Sequence, residues 1–111
     1  MQKSLNRVEL RGHVGNDPKI TKMENGGVLV RFNLATNEVY KDREGKYCEN
    51  TVWHSITAWS IKGMPDFEKI KKGVYLEVTG KIKYVKYTNK GGEEKNITEI
   101  VALKIIVPLA E

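Results

Sequence analysis

Trp53 and Trp59 stand six positions apart in NTVWHSITAWS, both at odd positions together with Thr51, Ser55 and Thr57. Val52, His54, Ile56 and Ala58 take the even positions. Alternate side chains of an extended strand point to opposite faces. One face therefore offers Val52, Ile56 and Ala58 to a core, and the other sets two indoles among hydroxyls. A ring placed there stacks well on another flat, apolar surface. Unpaired nucleobases present such surfaces, at about 1–3 kcal/mol per stacked base. A lone tryptophan on a strand is ordinarily core or subunit contact, so the argument depends on what accompanies these two.

The run GKIKYVKYTNKGGEEKN, Gly80–Asn96, carries Lys81, Lys83, Lys86 and Lys90 with no acid before Glu93, and Tyr84 and Tyr87 lie among them. It continues the strand VYLEVTG, whose even residues Val74, Leu76 and Val78 are apolar. Lys81, Lys83 and Tyr87 then point outward together, with Tyr84 and Lys86 on the other face of a projecting arm. Tyr40 ends a further alternating run beside Lys41 and Arg43. Tyr40, Trp53, Trp59 and Tyr87 are thus expected to line one surface with lysines around it. Phosphates need mobile cations rather than fixed geometry, which suits lysine on its flexible stem. Four such rings amount to roughly 4–12 kcal/mol of gross stacking before the cost of ordering the strand. That suffices for binding that ignores base identity.

The elements that must hold these residues are mostly strands. Leu5–Val14 alternates, Asn16–Ile20 and Glu24–Gly27 read as turns, and a second strand runs from Val28 to about Tyr40. Lys41–Tyr47 reads as a polar loop, Asn50–Ser60 as the third strand and Met64–Gly73 as the one helix. Val74–Lys86 is the fourth strand, Asn89–Glu94 a loop and Ile97–Val107 the fifth strand. The expected fold class is all-β: a five-stranded Greek-key OB-fold barrel, with one short helix between strands three and four and long hairpin loops.

The remaining composition bounds the alternatives. With 111 residues, one domain spanning 1–111 is expected. Nineteen Lys and Arg against fourteen Asp and Glu leave a net charge of +5, which modestly favours an acidic partner. The single Cys48 cannot form an internal disulfide, and MQKSLNRVEL has no apolar core of signal-peptide length. IVALKIIVPLA is short and contains Lys104, so no membrane span is expected and the reading is cytoplasmic. His13, His54 and Cys48 lack metal-ligand spacing, and GHVGND lacks the phosphate-loop pattern. No catalytic residue, metal or cofactor is expected.

The same residues carry a resemblance. LNRVELRGHVGNDPKI, NGGVLVRFNLATNE, TVWHSITAW, the segment ending KKG, VYLEVTGKIKYVKY and TEIVALKI occur in the order found in bacterial single-stranded DNA-binding proteins. The chain resembles that family over nearly its whole length. The resemblance implies an OB-fold, a homotetramer, and sequence-independent binding of single-stranded DNA in replication, recombination or repair. It implies stacking by Tyr40, Trp53, Trp59 and Tyr87, and DNA-facing cations near Lys41, Arg43, Lys62, Lys72 and Lys86. It also places His54 near subunit contacts, where a satisfied structural histidine is the plainer reading. Common members carry Trp where Tyr40 and Tyr87 stand and Phe where Trp59 stands. They also continue into an acidic, apolar-ended tail, whereas this sequence ends IIVPLAE. That departure counts against recruitment of replication enzymes through a tail.

Three rival readings remain at this point. One is a dimeric OB-fold accessory protein of replication restart acting mainly through protein contacts. Another is an RNA-binding OB module that senses the 2′-hydroxyl. The third, a hydrolase on the same fold, has no motif behind it.

Overall fold

The computed structural model describes residues 2–108; the last three positions of IIVPLAE, on which part of the expectation about the tail falls, lie outside the described residues. Six strands form: β1 Val8–Val14, β2 Lys19–Lys22, β3 Val28–Lys41, β4 Tyr47–Trp59, β5 Tyr75–Thr88 and β6 Glu94–Ile106. The sheet order is β1-β5-β6-β4-β3-β2, and a β1–β3 pairing closes five of the strands into a barrel. All pairings are antiparallel except β4–β6, where Ile56, Thr57 and Ala58 lie opposite Ile100, Val101 and Ala102. This is the expected OB barrel. Its core is the set of inward residues that the period-two pattern marks: Val30, Phe32, Leu34, Ile56, Ala58, Leu76 and Val78, closed off by Phe67 and Ile70.

Two expectations need correction. Asn16–Ile20 is not simply a turn, because β2 begins at Lys19. β1 leaves β3 at Val14 opposite Leu34, and β2 rejoins the same strand at Lys19 opposite Arg31, two residues out of register. The bend between them keeps β3 satisfied. Gly15 N–H donates to Asn33 O (2.8 Å), and Asn16 Oδ1 accepts from Asn33 N–H (2.8 Å) in place of a ladder carbonyl. Pro18 has no N–H to contribute there. A four-residue strand is too short to show its period, so sequence alone cannot register it.

The expected helix over Met64–Gly73 is a single 3-10 turn, Phe67–Lys69, capped by Asp66, whose Oδ1 accepts from Glu68 N–H (3.0 Å). The fully buried apolar pair of this segment, Phe67 and Ile70, is three residues apart. One turn buries both, since side chains at i and i+3 eclipse in a 3-10 helix. Ile70 is already extended, and Gly73 at φ +90° turns the chain into β5.

Both long hairpins overhang the barrel. The β3–β4 ladder runs unbroken from Leu29–Trp59 to Lys41–Tyr47, so most of the expected Lys41–Tyr47 loop contracts to residues 42–46. Asp42 Oδ1 accepts from both Glu44 N–H and Lys46 N–H (2.9 Å each), and Gly45 adopts φ +82°. Backbone ladder bonds need no apolar alternation, which is why pairing outruns the hydrophobic pattern. At the base of the β5–β6 arm, the Asn6 side chain donates to Ile82 O (2.9 Å) and accepts from Ile82 N–H (3.0 Å). It thereby extends the β1–β5 ladder by one side-chain step. Among the described residues, no helix is long and apolar enough to cross a membrane, and no cluster of three His, Cys, Asp or Glu is placed to hold a metal.

Candidate nucleic-acid interface

β4 carries both indoles outside the core. Trp53 is 60% exposed and Trp59 40%, while Ile56 and Ala58 on the even face are buried. Each ring rests over a glycine. A Cβ at Gly15 would lie 2.0 Å from Trp53 Cζ3, and one at Gly27 would lie 3.7 Å from Trp59 Cζ3. At Trp53 the bare backbone of Gly15 is what lets the indole lie against the barrel and turn its other face outward, whereas a side chain at Gly27 would meet Trp59 only at ordinary contact distance. The odd face is not uniformly open, however. Thr57 is only 7% exposed, and its hydroxyl donates to Glu99 Oε2 (3.1 Å) across the parallel β4–β6 seam.

Around Ser55 and Thr57, the residues of β4 that separate the two indoles along the strand, lies a groove of about 550 Å³ that neither ring lines. Arg31, Asn33, Ser55 and Thr57 line its floor, with Asn16 of the β1–β2 bend and Lys19 of β2 on one side and Tyr87 and Glu99 of the β5–β6 arm on the other. Tyr87, 44% exposed, thus meets Ser55 and Thr57, the residues of β4 that share the parity of Trp53 and Trp59. Lys81 and Lys83 have the parity of Tyr87 and lie opposite Val101 and Glu99. Lys86, opposite Asn96, and Tyr84, opposite Thr98, fall on the reverse of the arm.

Tyr40 is not brought to that surface by the strand register. It lies opposite Cys48, on the pleat face of Leu34 and His54, whereas Trp53 lies opposite Ala35. An unbroken ladder preserves parity, so Tyr40 and Trp53 emerge on opposite sides of the hairpin. Lys41 does lie on the Trp53 face, opposite Tyr47, with its ammonium 5.1 Å from that ring's centroid. Arg43 is exposed in the turn 42–46, and Lys62 is exposed in the turn after Trp59. Lys72 is exposed beside β1, since the next residue, Gly73, donates to Val14 O (2.7 Å). His54 Nε2 and Thr36 Oγ1 share a hydrogen bond (2.9 Å), the structural role expected of it.

Two groove cations escaped the sequence reading, Lys19 and Arg31. Arg31 has the outward parity of its strand, a usable signal, but its place on the groove floor depends on pairing with Thr57. Lys19 lay in the segment read as a turn and is placed by its pairing with Arg31. The side-chain ion pairs among the described residues join Arg7 to Glu9, Arg11 to Glu77, Lys46 to Glu44 and Lys95 to Glu93. None of these involves Lys19, Arg31 or an expected phosphate contact, so no carboxylate of the described residues neutralises those charges.

Comparison with known proteins bears on the whole chain. The description "Single-strand binding protein family" belongs to a family model that matches residues 5–107. A single-stranded DNA-binding protein of Xylella fastidiosa is 37% identical over 102 residues, covering 92% of this chain and 62% of the relative. The chain thus spans less than two thirds of that relative's length. A mitochondrial single-stranded DNA-binding protein of Xenopus laevis is 36% identical over 115 residues, covering 96% of this chain and 78% of the relative. Among solved structures, that of a Plasmodium falciparum SSB complex with ssDNA superposes with a TM-score of 0.78 at 31% identity, covering 96% of this chain and 95% of that one.

Proposed function

Since the chain belongs to the single-strand binding protein family, we propose that it binds single-stranded DNA without base preference and protects it during replication, recombination or repair. The observation that carries this reading is the pair of exposed indoles on the strand face whose intervening residues, Ser55 and Thr57, line a groove with Tyr87. Trp53, Trp59 and Tyr87 stack bases on one surface, and Tyr40 stacks a base on the reverse of the β3–β4 arm. Lys41, Arg43, Lys62, Lys72, Lys81, Lys83 and Lys86 hold phosphates, joined by Lys19 and Arg31. The residues 1–111 act as one DNA-binding domain in a cytoplasmic homotetramer. The protein works by binding and without a catalytic step or cofactor.

Titration with oligo(dT) tests this through the tryptophans themselves. Saturable quenching of intrinsic fluorescence is expected, with log affinity falling in log salt at a slope of about −0.7 per phosphate contacted. Matched RNA should compete poorly if DNA is the partner. Unchanged fluorescence without binding would remove the proposal.

The groove contains one feature that opposes DNA. Glu99 lines it and accepts from Thr57. A phosphate passing at about 6 Å in water is repelled by about 0.7 kcal/mol. Glu99→Gln keeps an acceptor for Thr57 and removes the charge. It should tighten oligo(dT) binding about threefold at low salt, and the gain should fade near 1 M salt as screening shortens to about 3 Å. Equal affinity at low salt would put the strand outside this groove.

A further inference from the structure

The face of β4 that bears Trp53 and Trp59 carries a third exposed ring that the site as described does not use. Tyr47 has their parity and opens the strand, so Tyr47, Trp53 and Trp59 recur at six-residue intervals. Each interval spans about 20 Å of extended chain. Tyr47 is 74% exposed, more than either indole. Directly opposite it on β3, Lys41 holds its ammonium 5.1 Å from the ring centroid. A ring and a cation held together are the two groups that one nucleotide needs, a stacking face for the base and a charge for the phosphate. The ring has two faces, and an exposed cation–π contact is weaker than base stacking. The free face therefore remains available to a base.

Resting on the single-stranded DNA reading of this surface, we propose that Tyr47 is a further base-stacking residue, with Lys41 as its phosphate partner. The DNA track then continues out along the β3–β4 hairpin to its turn, about 40 Å from Trp59. Between Tyr47 and Trp53 the face carries Glu49 and Thr51, and the Thr51 hydroxyl is tied to Asn37 Oδ1 (2.8 Å). This stretch offers no ring, so it spaces the platforms.

The test is a length series. Oligo(dT) of about 6 and about 16 nucleotides, within the range of OB-fold site sizes, is titrated against wild type, Tyr47→Ala and Tyr47→Phe. Tyr47→Ala should weaken the longer oligomer about five- to tenfold, leave the shorter one unchanged and keep the wild-type Tm. Tyr47→Phe, which keeps the ring, should match wild type at both lengths. Equal loss at both lengths, or no loss with wild-type binding intact, overturns the role of Tyr47 alone. Failure of the wild-type protein to bind either length overturns the site reading, and this extension with it.

Discussion

Replacing both Trp53 and Trp59 by alanine should reduce affinity for oligo(dT) by about two to four orders of magnitude while leaving the barrel folded. Each ring is expected to contribute about 1–3 kcal/mol through one stacked base, and each 1.4 kcal/mol is tenfold in affinity. The two rings lie about 20 Å apart along β4, well beyond the distance at which substitutions usually couple. Their losses should therefore add. Folding should suffer little, because neither indole is in the core: Ile56 and Ala58 fill that side of the strand. The phenylalanine variants serve as the control, since a smaller ring still stacks. Isothermal titration with oligo(dT), paired with thermal unfolding, decides the matter. If the double variant loses assembly mass but keeps its affinity, the indoles are subunit contacts, and the stacking assignment is wrong.

The second large effect concerns the barrel rather than the site. Gly80→Ala should lower stability by about 3 kcal/mol or more, the upper end of overpacking, and lower Tm by more than about 10 °C. A Cβ on Gly80 would lie 2.2 Å from Val101 O and 2.9 Å from Val101 C, both backbone atoms of the neighbouring strand. Nothing there can rotate away. Gly80 sits at the register shift where β5, paired with β1 through Val8–Gly80, bends to run along β6. Closing a barrel requires such a bend, and glycine permits the backbones to approach. Gly12 stands at the corresponding place on β1, where a Cβ would lie 2.1 Å from Ala35 O. Gly12→Ala should therefore destabilise comparably. Wild-type unfolding curves for both variants would show that the strands close with more slack than this geometry has.

Much of this was legible from local patterns. Alternation in VLVRFNLAT and VYLEVTG identified the inward residues that form the core, because a strand with one buried face must repeat every two residues. The same rule put Trp53 and Trp59 on the outside and Tyr87 with them. The rule weakened where pattern and burial part company. Phe67 and Ile70 look like a helical pair, yet two apolar residues three apart need only a 3-10 turn to bury both. Lys19–Lys22 is too short to show any period, and its strand exists because β3 offers it a partner.

By itself the sequence determined which residues face inward, which rings remain outside, and where lysine is concentrated, since each of these follows from the neighbours along the chain. Only the tertiary structure decided which strands lie side by side. That placement put Arg31 and Lys19 into the groove, set Glu99 over Thr57, and turned Tyr40 to the reverse of the hairpin that bears Trp53. It also brought neighbouring backbone against Gly12 and Gly80, although neither adopts a positive φ that would mark it locally. The physical reason is the same throughout. Periodicity is a property of one strand, whereas register, closure and the meeting of side chains are properties of two.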